Sequence, residues 1–198
     1  KSAKANNLYA NLIISKVYTI MKKGIPPSKM DDKINLAIKH YQQAIEVDSS
    51  YSNPLHNIGY IYLIIGRNYK VSEDYFTASI KADSTLYEAY LNRGVARFYL
   101  EKYDAAINDL ITCAAKGEDK EKDKAYYYLG RAYKQKQDTV SAIEYLNKSV
   151  EQTESKLNPR RHLRDIYLAK NEFDEALSVS KQIIQSPKNS ADDFAKHG

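Results

Sequence analysis

Residues 126–146, YYYLGRAYKQKQDTVSAIEYL, contain the pattern that decides the fold. A tyrosine-rich start leads to a Leu-Gly pair, the small residue Ala142 follows twelve positions after Gly130, and Leu146 comes one helical turn later. Spacings of three, four and seven residues place side chains on one face of a helix. The stretch therefore predicts two helices that pack closely where Gly130 and Ala142 leave room.

The pattern recurs along the chain with a period close to 34 residues. The small residues that mark the copies fall 35, 34, 36 and 34 residues apart, and they are Ala37, Ser72, Ala106, Ala142 and Ala176. The residues one helical turn after them are Tyr41, Phe76, Leu110, Leu146 and Ser180. Three of the small residues are preceded, 12 or 13 positions earlier, by Gly59, Gly94 and Gly130. Because a glycine inside a helix costs up to ~1 kcal/mol relative to alanine, its recurrence indicates close contact between helices.

The copies resemble the tetratricopeptide repeat, whose signature runs from an aromatic residue through Leu-Gly, Tyr and a small residue to an aromatic residue and Pro. The resemblance covers roughly residues 5–188, nearly the whole chain. It implies an all-α fold, a right-handed superhelix of about five helix-turn-helix repeats (an α-α superhelix) that forms a single solenoid domain over residues 1–198. The repeats are predicted at approximately 5–51, 52–86, 87–122, 123–156 and 157–188, and residues 189–198 are predicted to form a tail or the start of a capping helix.

Two features depart from the family pattern. In the first repeat, helices are predicted over residues 7–23 and 31–47, and two prolines lengthen the turn between them because proline stops helix propagation. In the third repeat, Arg93 and Arg97 stand where the family usually has Leu and Tyr. The resemblance therefore does not say how that helix packs.

The excess of positive charge lies at the amino-terminal end. The formal net charge is +5, but residues 1–30 hold six lysines and no acidic residue, which leaves 24 basic and 25 acidic residues, or −1, for residues 31–198. Proteins that bind nucleic acid more often spread Lys and Arg along a continuous stripe with aromatic platforms, so a nucleic-acid partner is disfavoured. An adaptor for nucleic acid or an anionic surface stays open as an alternative, working through Lys4, Lys16, Lys22 and Lys23.

The sequence contains no recognisable set of catalytic or metal-binding residues. The four histidines are in different units, and none has a partner at the i, i+4 spacing of a zinc pair: His40, His56, His162 and His197. Cys113, the only cysteine, occupies the small core-facing position of its repeat, where a thiol acts as a compact hydrophobe. There is no glycine-rich phosphate loop and no serine nucleophile elbow. We therefore predict no enzymatic activity, no cofactor and no metal site.

Function is expected on the concave surface formed by the first helices of successive repeats. In the family this surface is lined by residues two and three positions before the signature glycine and one position after it. Carried over by position, the resemblance gives these candidate partner-binding residues: His56, Asn57, Tyr60, Asn92, Tyr127, Tyr128, Arg131, Arg161 and His162. The remaining positions of the same kind hold Leu91, Val95 and Asp165. The alternative for each is an ordinary surface position or packing between repeats.

The wall made by the third to fifth repeats combines an amide, tyrosine rings and guanidinium groups, which suits a carboxylate-bearing peptide. Chaperone-binding members of the family clamp such a carboxylate, and Asn92 and Lys124 match that clamp. His56, Tyr60 and Tyr128 depart from it, so a chaperone tail is a poor fit.

The leading hypothesis is a protein-protein interaction scaffold that holds a peptide segment of a partner in the concave groove. The alternative is a structural module whose terminal repeats, with uncapped apolar faces, mediate self-association or dock adjoining domains.

No apolar run approaches the ~20 residues needed to cross a bilayer, so we predict a soluble chain without a transmembrane segment. Because the chain begins at Lys1 rather than Met, we expect that an upstream segment was removed. The compartment stays open between the cytoplasm and, if that segment was a signal or an anchor, the periplasm or cell envelope.

Overall fold

The computed structural model describes residues 2–152 and 157–185, and within these ranges it contains ten α-helices and no strand. The helices are α1 (Ala3–Met21), α2 (Asp31–Val47), α3 (Ser52–Ile64), α4 (Tyr69–Ala82), α5 (Tyr87–Tyr99), α6 (Tyr103–Lys116), α7 (Asp119–Gln135), α8 (Thr139–Gln152), α9 (Leu157–Ala169) and α10 (Phe173–Gln185). The all-α repeat fold predicted from the sequence is confirmed. None of the helices in the described ranges is long and apolar enough to cross a membrane. The predicted tail or capping helix at residues 189–198 lies outside the described residues.

The chain divides into two compact units, the first ending at Lys102 and the second beginning at Tyr103. In the first unit, α1 packs on α2, α3 on α4 and α4 on α5, and α3 also contacts α5. In the second unit, α6 packs on α7, α7 on α8, α8 on α9 and α9 on α10. The boundary falls inside the predicted repeat at residues 87–122, and the assignment of all repeats to one domain stays a prediction.

The first helix pair follows the predicted pattern and begins earlier than expected. Helix α1 starts at Ala3 because Ser2 caps it, its side chain accepting a hydrogen bond from the Ala5 N–H at 3.2 Å. After α1, Gly24 adopts a φ of +83°, a left-handed conformation that glycine accepts without a steric penalty. A short 3-10 turn at Pro27–Lys29 then leads to α2, which has the predicted bounds.

Close contact between paired helices occurs at the predicted small residues. Ala142 is completely buried, and a Cβ added to Gly130 would lie 2.6 Å from Leu146 Cγ, closer than real carbon atoms approach. A Cβ on Gly59 would likewise lie 2.9 Å from a ring carbon of Phe76. The glycines therefore allow the paired helices to approach more closely than larger residues at these positions would.

Arg97, which departs from the family pattern, serves a buried ion-pair network in the first unit. Its Nε donates to Glu73 Oε1 at 2.9 Å, and Lys102 Nζ donates to Glu73 Oε2 at 2.6 Å. The Glu73 side chain is only 10% exposed. Burial alone would raise the pKa of Glu73, but the hydrogen bonds and charges of Lys102 and Arg97 outweigh it and lower the pKa.

Replacing Ala142 by Phe should lower the free energy of unfolding by roughly 1–3 kcal/mol, because the added ring has no space between α7 and α8. Chemical denaturation followed by circular dichroism measures the change. Val140→Phe on the same helix is the matched control, since Val140 is 80% exposed and should tolerate the ring. Equal stability of the two variants would contradict the proposed helix contact.

Glu73→Gln should lower the free energy of unfolding by about 1–3 kcal/mol at neutral pH, since two charged hydrogen bonds lose their acceptor charge. The pKa of Glu73 is lowered in the folded chain, so its stabilising contribution is complete above the ordinary glutamate value of ~4.3 and disappears as the pH falls through the lowered pKa. The difference in the free energy of unfolding between Glu73→Gln and wild type, measured by urea titration, should therefore become smaller below that pH. Asp74→Asn, which removes an exposed pair with Lys70, should have little effect at any pH.

Candidate partner-binding surfaces

A polar cleft of about 570 Å³ lies in the first unit between the first helices of its helix pairs, and we call it the first-unit cleft. Helices α1 and α3 and the start of α5 supply most of its lining, which includes Asn7, Asn11, Tyr18, Lys22, His56, Asn57, Tyr60 and Glu88. Three of these residues were predicted from the sequence as partner-binding: His56, Asn57 and Tyr60. A cleft of this volume is within the range of ligand-binding pockets.

A hydrogen-bond network of amides and tyrosines joins the helices at one wall of this cleft. Asn11 Oδ1 accepts bonds from Tyr41 Oη at 2.7 Å and from Asn57 Nδ2 at 3.1 Å. Asn57 Nδ2 also donates to Asn7 Oδ1 at 3.4 Å, and Asn7 Nδ2 donates to Tyr51 Oη at 3.1 Å. The amide nitrogen of Asn57 is thus committed to holding α3 against α1, which makes Asn57 a positioning residue in this structure.

His56 and Asn92 form a buried pair between α3 and α5. Each is 7% exposed, and Asn92 Nδ2 lies 3.0 Å from His56 Nε2, which accepts the bond when the imidazole proton is on Nδ1. Burial lowers the pKa of His56, so the imidazole is neutral at pH 7. The predicted two-way amide of Asn92 therefore has its nitrogen engaged inside the protein, and a partner-binding role for either residue stays a prediction.

Two tyrosines, Tyr18 of α1 and Tyr60 of α3, meet edge to face in the cleft with ring centres 6.2 Å apart. The Tyr18 hydroxyl is buried and has no hydrogen-bond partner among the described residues. Burial raises the pKa of Tyr18 and of Tyr60, so both hydroxyls keep their protons. The two tyrosines therefore give this part of the cleft an aromatic, uncharged lining.

The second unit brings four predicted residues together, and we call Tyr127, Tyr128, Arg131 and His162 the Tyr-Arg cluster. Arg131 Cζ lies 5.4 Å from the ring centre of Tyr127 and 5.2 Å from that of Tyr128. The two rings meet nearly at right angles, 5.3 Å apart. Tyr127 Oη lies 3.2 Å from His162 Nε2. Cation–π contacts with two rings therefore restrain the guanidinium before any partner arrives.

Arg131 supplies the charge of this cluster, because His162 is neutral. Burial, followed by the positive charges of Arg131 and Lys134, lowers the pKa of His162 to about 4. Arg161 lies half-buried on α9 next to His162 in the chain. Asp165 is exposed and accepts a hydrogen bond from Arg164 at 2.7 Å, so its carboxylate is occupied by its neighbour.

Asn7, Asn11 and Glu88 also line the first-unit cleft and were not predicted from the sequence. Asn7 and Asn11 lie in the first repeat, which lacks the signature glycine, so positions could not be carried over to it from the family. Glu88 lies six positions before Gly94, outside the positions that line the groove in the family. The signal that was present is the i, i+4 spacing of Asn7 and Asn11, which places both amides on one face of α1. In residues 2–152 and 157–185, no group of three or more His, Cys, Asp or Glu residues could hold a metal ion.

Comparison with known proteins finds relatives over part of the chain. A family model for the tetratricopeptide repeat matches residues 123–155. Neutrophil cytosol factor 2 from Bos taurus is 42% identical over 64 residues, which are 32% of this chain and 12% of that protein. The Homo sapiens protein of the same name is 38% identical over 76 residues, 36% of this chain and 14% of that protein. The match therefore covers about an eighth of the length of these relatives.

Several solved structures share the fold. MamA aligns with a TM-score of 0.73 at 24% identity, covering 80% of this chain and 91% of MamA. YrrB, described as a tetratricopeptide protein with an unusual peptide-binding site, aligns with a TM-score of 0.67 at 18% identity. The alignment covers 85% of this chain and 84% of YrrB. The first tetratricopeptide domain of Spaghetti (RPAP3), bound to the HSP90 peptide SRMEEVD, aligns with a TM-score of 0.57 at 26% identity. The alignment covers 63% of this chain and 96% of that domain.

The match to the family model lies on the α7–α8 pair, where the packing of Gly130 on Leu146 gives the repeat its close helix contact. Helices α1 and α2, α3 and α4, and α9 and α10 also pack as pairs. The chain contains a tetratricopeptide repeat at residues 123–155 and has an all-helical repeat fold.

Proposed function

We propose that this chain is a non-enzymatic scaffold that binds a peptide segment of a partner protein on the exposed faces of its first helices. Tetratricopeptide proteins mediate protein-protein interactions, and two of the similar structures are described with peptide binding, one of them with the acidic peptide SRMEEVD. The observation that carries the proposal is the Tyr-Arg cluster, in which an arginine is held against two tyrosine rings.

The cluster has the chemistry of a carboxylate site. A guanidinium group pairs with a carboxylate through two parallel hydrogen bonds, and adjacent rings strengthen this pair by excluding water. Tyr and Arg are also the residue types in which interface energy concentrates. Since His162 is neutral near pH 7, the attraction for an anion comes from Arg131, with Arg161 one position before His162 in the chain. We therefore propose a partner segment that carries a side-chain or terminal carboxylate.

A second candidate function, assembly through the chain ends, is favoured by exposed apolar residues on the last and first described helices. Phe173 and Leu177, one turn apart on α10, are 64% and 54% exposed. Leu8 and Leu12, one turn apart on α1, are 55% and 63% exposed. Apolar pairs of this kind are typical of surfaces that another chain or domain covers.

Arg131→Glu should weaken the binding of a carboxylate-bearing peptide by about 2 kcal/mol, or roughly thirtyfold, because an attractive charge at the cluster becomes repulsive. Peptides with free carboxyl termini selected from a random display library serve as probes, and fluorescence anisotropy gives their affinities. The same peptides with amidated termini should also bind more weakly.

Lys120→Glu on the same helix is the matched control, since Lys120 is exposed and outside the cluster. It should leave affinity unchanged, and both variants should keep the helicity and melting temperature of wild type. An Arg131→Glu protein that is folded and binds as tightly as wild type would contradict the carboxylate site.

Light scattering after size-exclusion chromatography distinguishes the second candidate. If apolar ends drive assembly, the wild-type chain should be a dimer or larger species, and Phe173→Ser with Leu177→Ser should reduce its mass because the apolar pair on α10 is lost. Val140→Ser, at another exposed apolar position, should not change the mass. A wild-type protein that is monomeric at every concentration tested would reject this candidate.

A further inference from the structure

Glu88 is a half-buried carboxylate that has no ion pair and no hydrogen bond from another side chain in the described part of the chain. It lies in the first turn of α5 and lines the first-unit cleft. An acidic residue in the first turn favours helix formation, which accounts for its position on α5 but not for its place in a cleft. The comparison within this unit is Glu73, a buried carboxylate that two cations neutralise. Partial burial of an unpaired carboxylate is unfavourable, and a cation from outside would relieve it.

The side chains that line the cleft together with Glu88 include aromatic rings. The imidazole of His56 is neutral and supplies no positive charge. Glu88 lines the same cleft as His56 and Tyr60. The rings of His56 and Tyr60 are nearly parallel, with centres 6.3 Å apart, and Tyr18 meets Tyr60 edge to face. A cation next to the carboxylate would therefore also lie near tyrosine rings, which attract cations through their faces.

Lys22 is the positive group that lines the same cleft, and it competes for an incoming charge. It is exposed at the end of α1 and forms no ion pair with Glu88. An exposed ammonium remains hydrated and is screened by salt, whereas the carboxylate of Glu88 is partly removed from water. The balance of the two charges therefore favours a cationic ligand at Glu88.

We propose that the first-unit cleft binds a basic side chain, arginine or lysine, of a partner peptide, with Glu88 as its charge partner. The tyrosine rings of Tyr18 and Tyr60 form the aromatic part of the site. This site uses residues of the first unit alone and does not depend on the carboxylate site proposed for the Tyr-Arg cluster.

The test uses uniformly ¹⁵N-labelled wild-type protein titrated with the capped peptide acetyl-Gly-Gly-Arg-Gly-Gly-amide. Amide signals of α1, α3 and the start of α5 should shift in a saturable way. The citrulline peptide, which has the same shape without the charge, and the glutamate peptide should both bind at least about tenfold more weakly. Glu88→Gln should lower the affinity for the arginine peptide by a similar factor. Lys22→Gln should leave the affinity for this peptide unchanged or increase it.

Glu46→Gln is the matched control, because it removes the same charge from an exposed position on α2 that does not line the cleft. Arg131→Glu should also leave binding of the arginine peptide unchanged, which separates this site from the Tyr-Arg cluster. The proposal is overturned if the cleft signals do not shift, if the citrulline peptide binds equally well, or if folded Glu88→Gln binds as wild type does. Preferential binding of the glutamate peptide, abolished in Lys22→Gln, would identify the cleft as an anion site instead.

Discussion

The close approach of two helices at a small residue is the constraint on which the rest of this structure depends. At Gly130 the backbone of α7 lies so near Leu146 of α8 that no side chain fits between them. This contact fixes the rotation of α7 about its own axis and with it the direction of each side chain on that helix. Tyr127, Tyr128 and Arg131 are placed by that rotation. The packing of the helix pair therefore determines which side chains a partner can meet.

The same constraint explains what could be predicted from the sequence. Small residues at a fixed period give the helix pairs and the register of each first helix, because helical geometry converts spacing into direction. The register in turn brought Tyr127, Arg131 and His162 to one place across two helices that are separated in sequence. The family resemblance supplied the positions of the groove, and the repeat register carried them over to these residues; their role in partner binding stays a prediction.

Contacts between particular side chains could not be predicted in this way. Arg97 was recognised as a departure from the family pattern, but its partner Glu73 lies 24 residues away on a different helix. Asn92 was expected to face a partner, yet its amide nitrogen bonds with His56 at a distance that depends on how α5 packs on α3. Both outcomes follow from side-chain rotamers and helix separation, and periodicity carries no information on either.

The tyrosines connect packing with recognition. The chain has eighteen tyrosines and no tryptophan. The hydroxyls of Tyr51, Tyr41 and Tyr127 lie within hydrogen-bond distance of Asn7, Asn11 and His162 respectively. A phenylalanine at these positions would fill the same volume but could not position an amide or an imidazole. The Tyr18 hydroxyl is the exception in the first-unit cleft, because it is buried without a partner. The Tyr18 ring packs against the core cluster that contains Tyr41 and Ile61 and also lines the first-unit cleft. A tyrosine can therefore take part in the core and in the lining of a cleft at the same time.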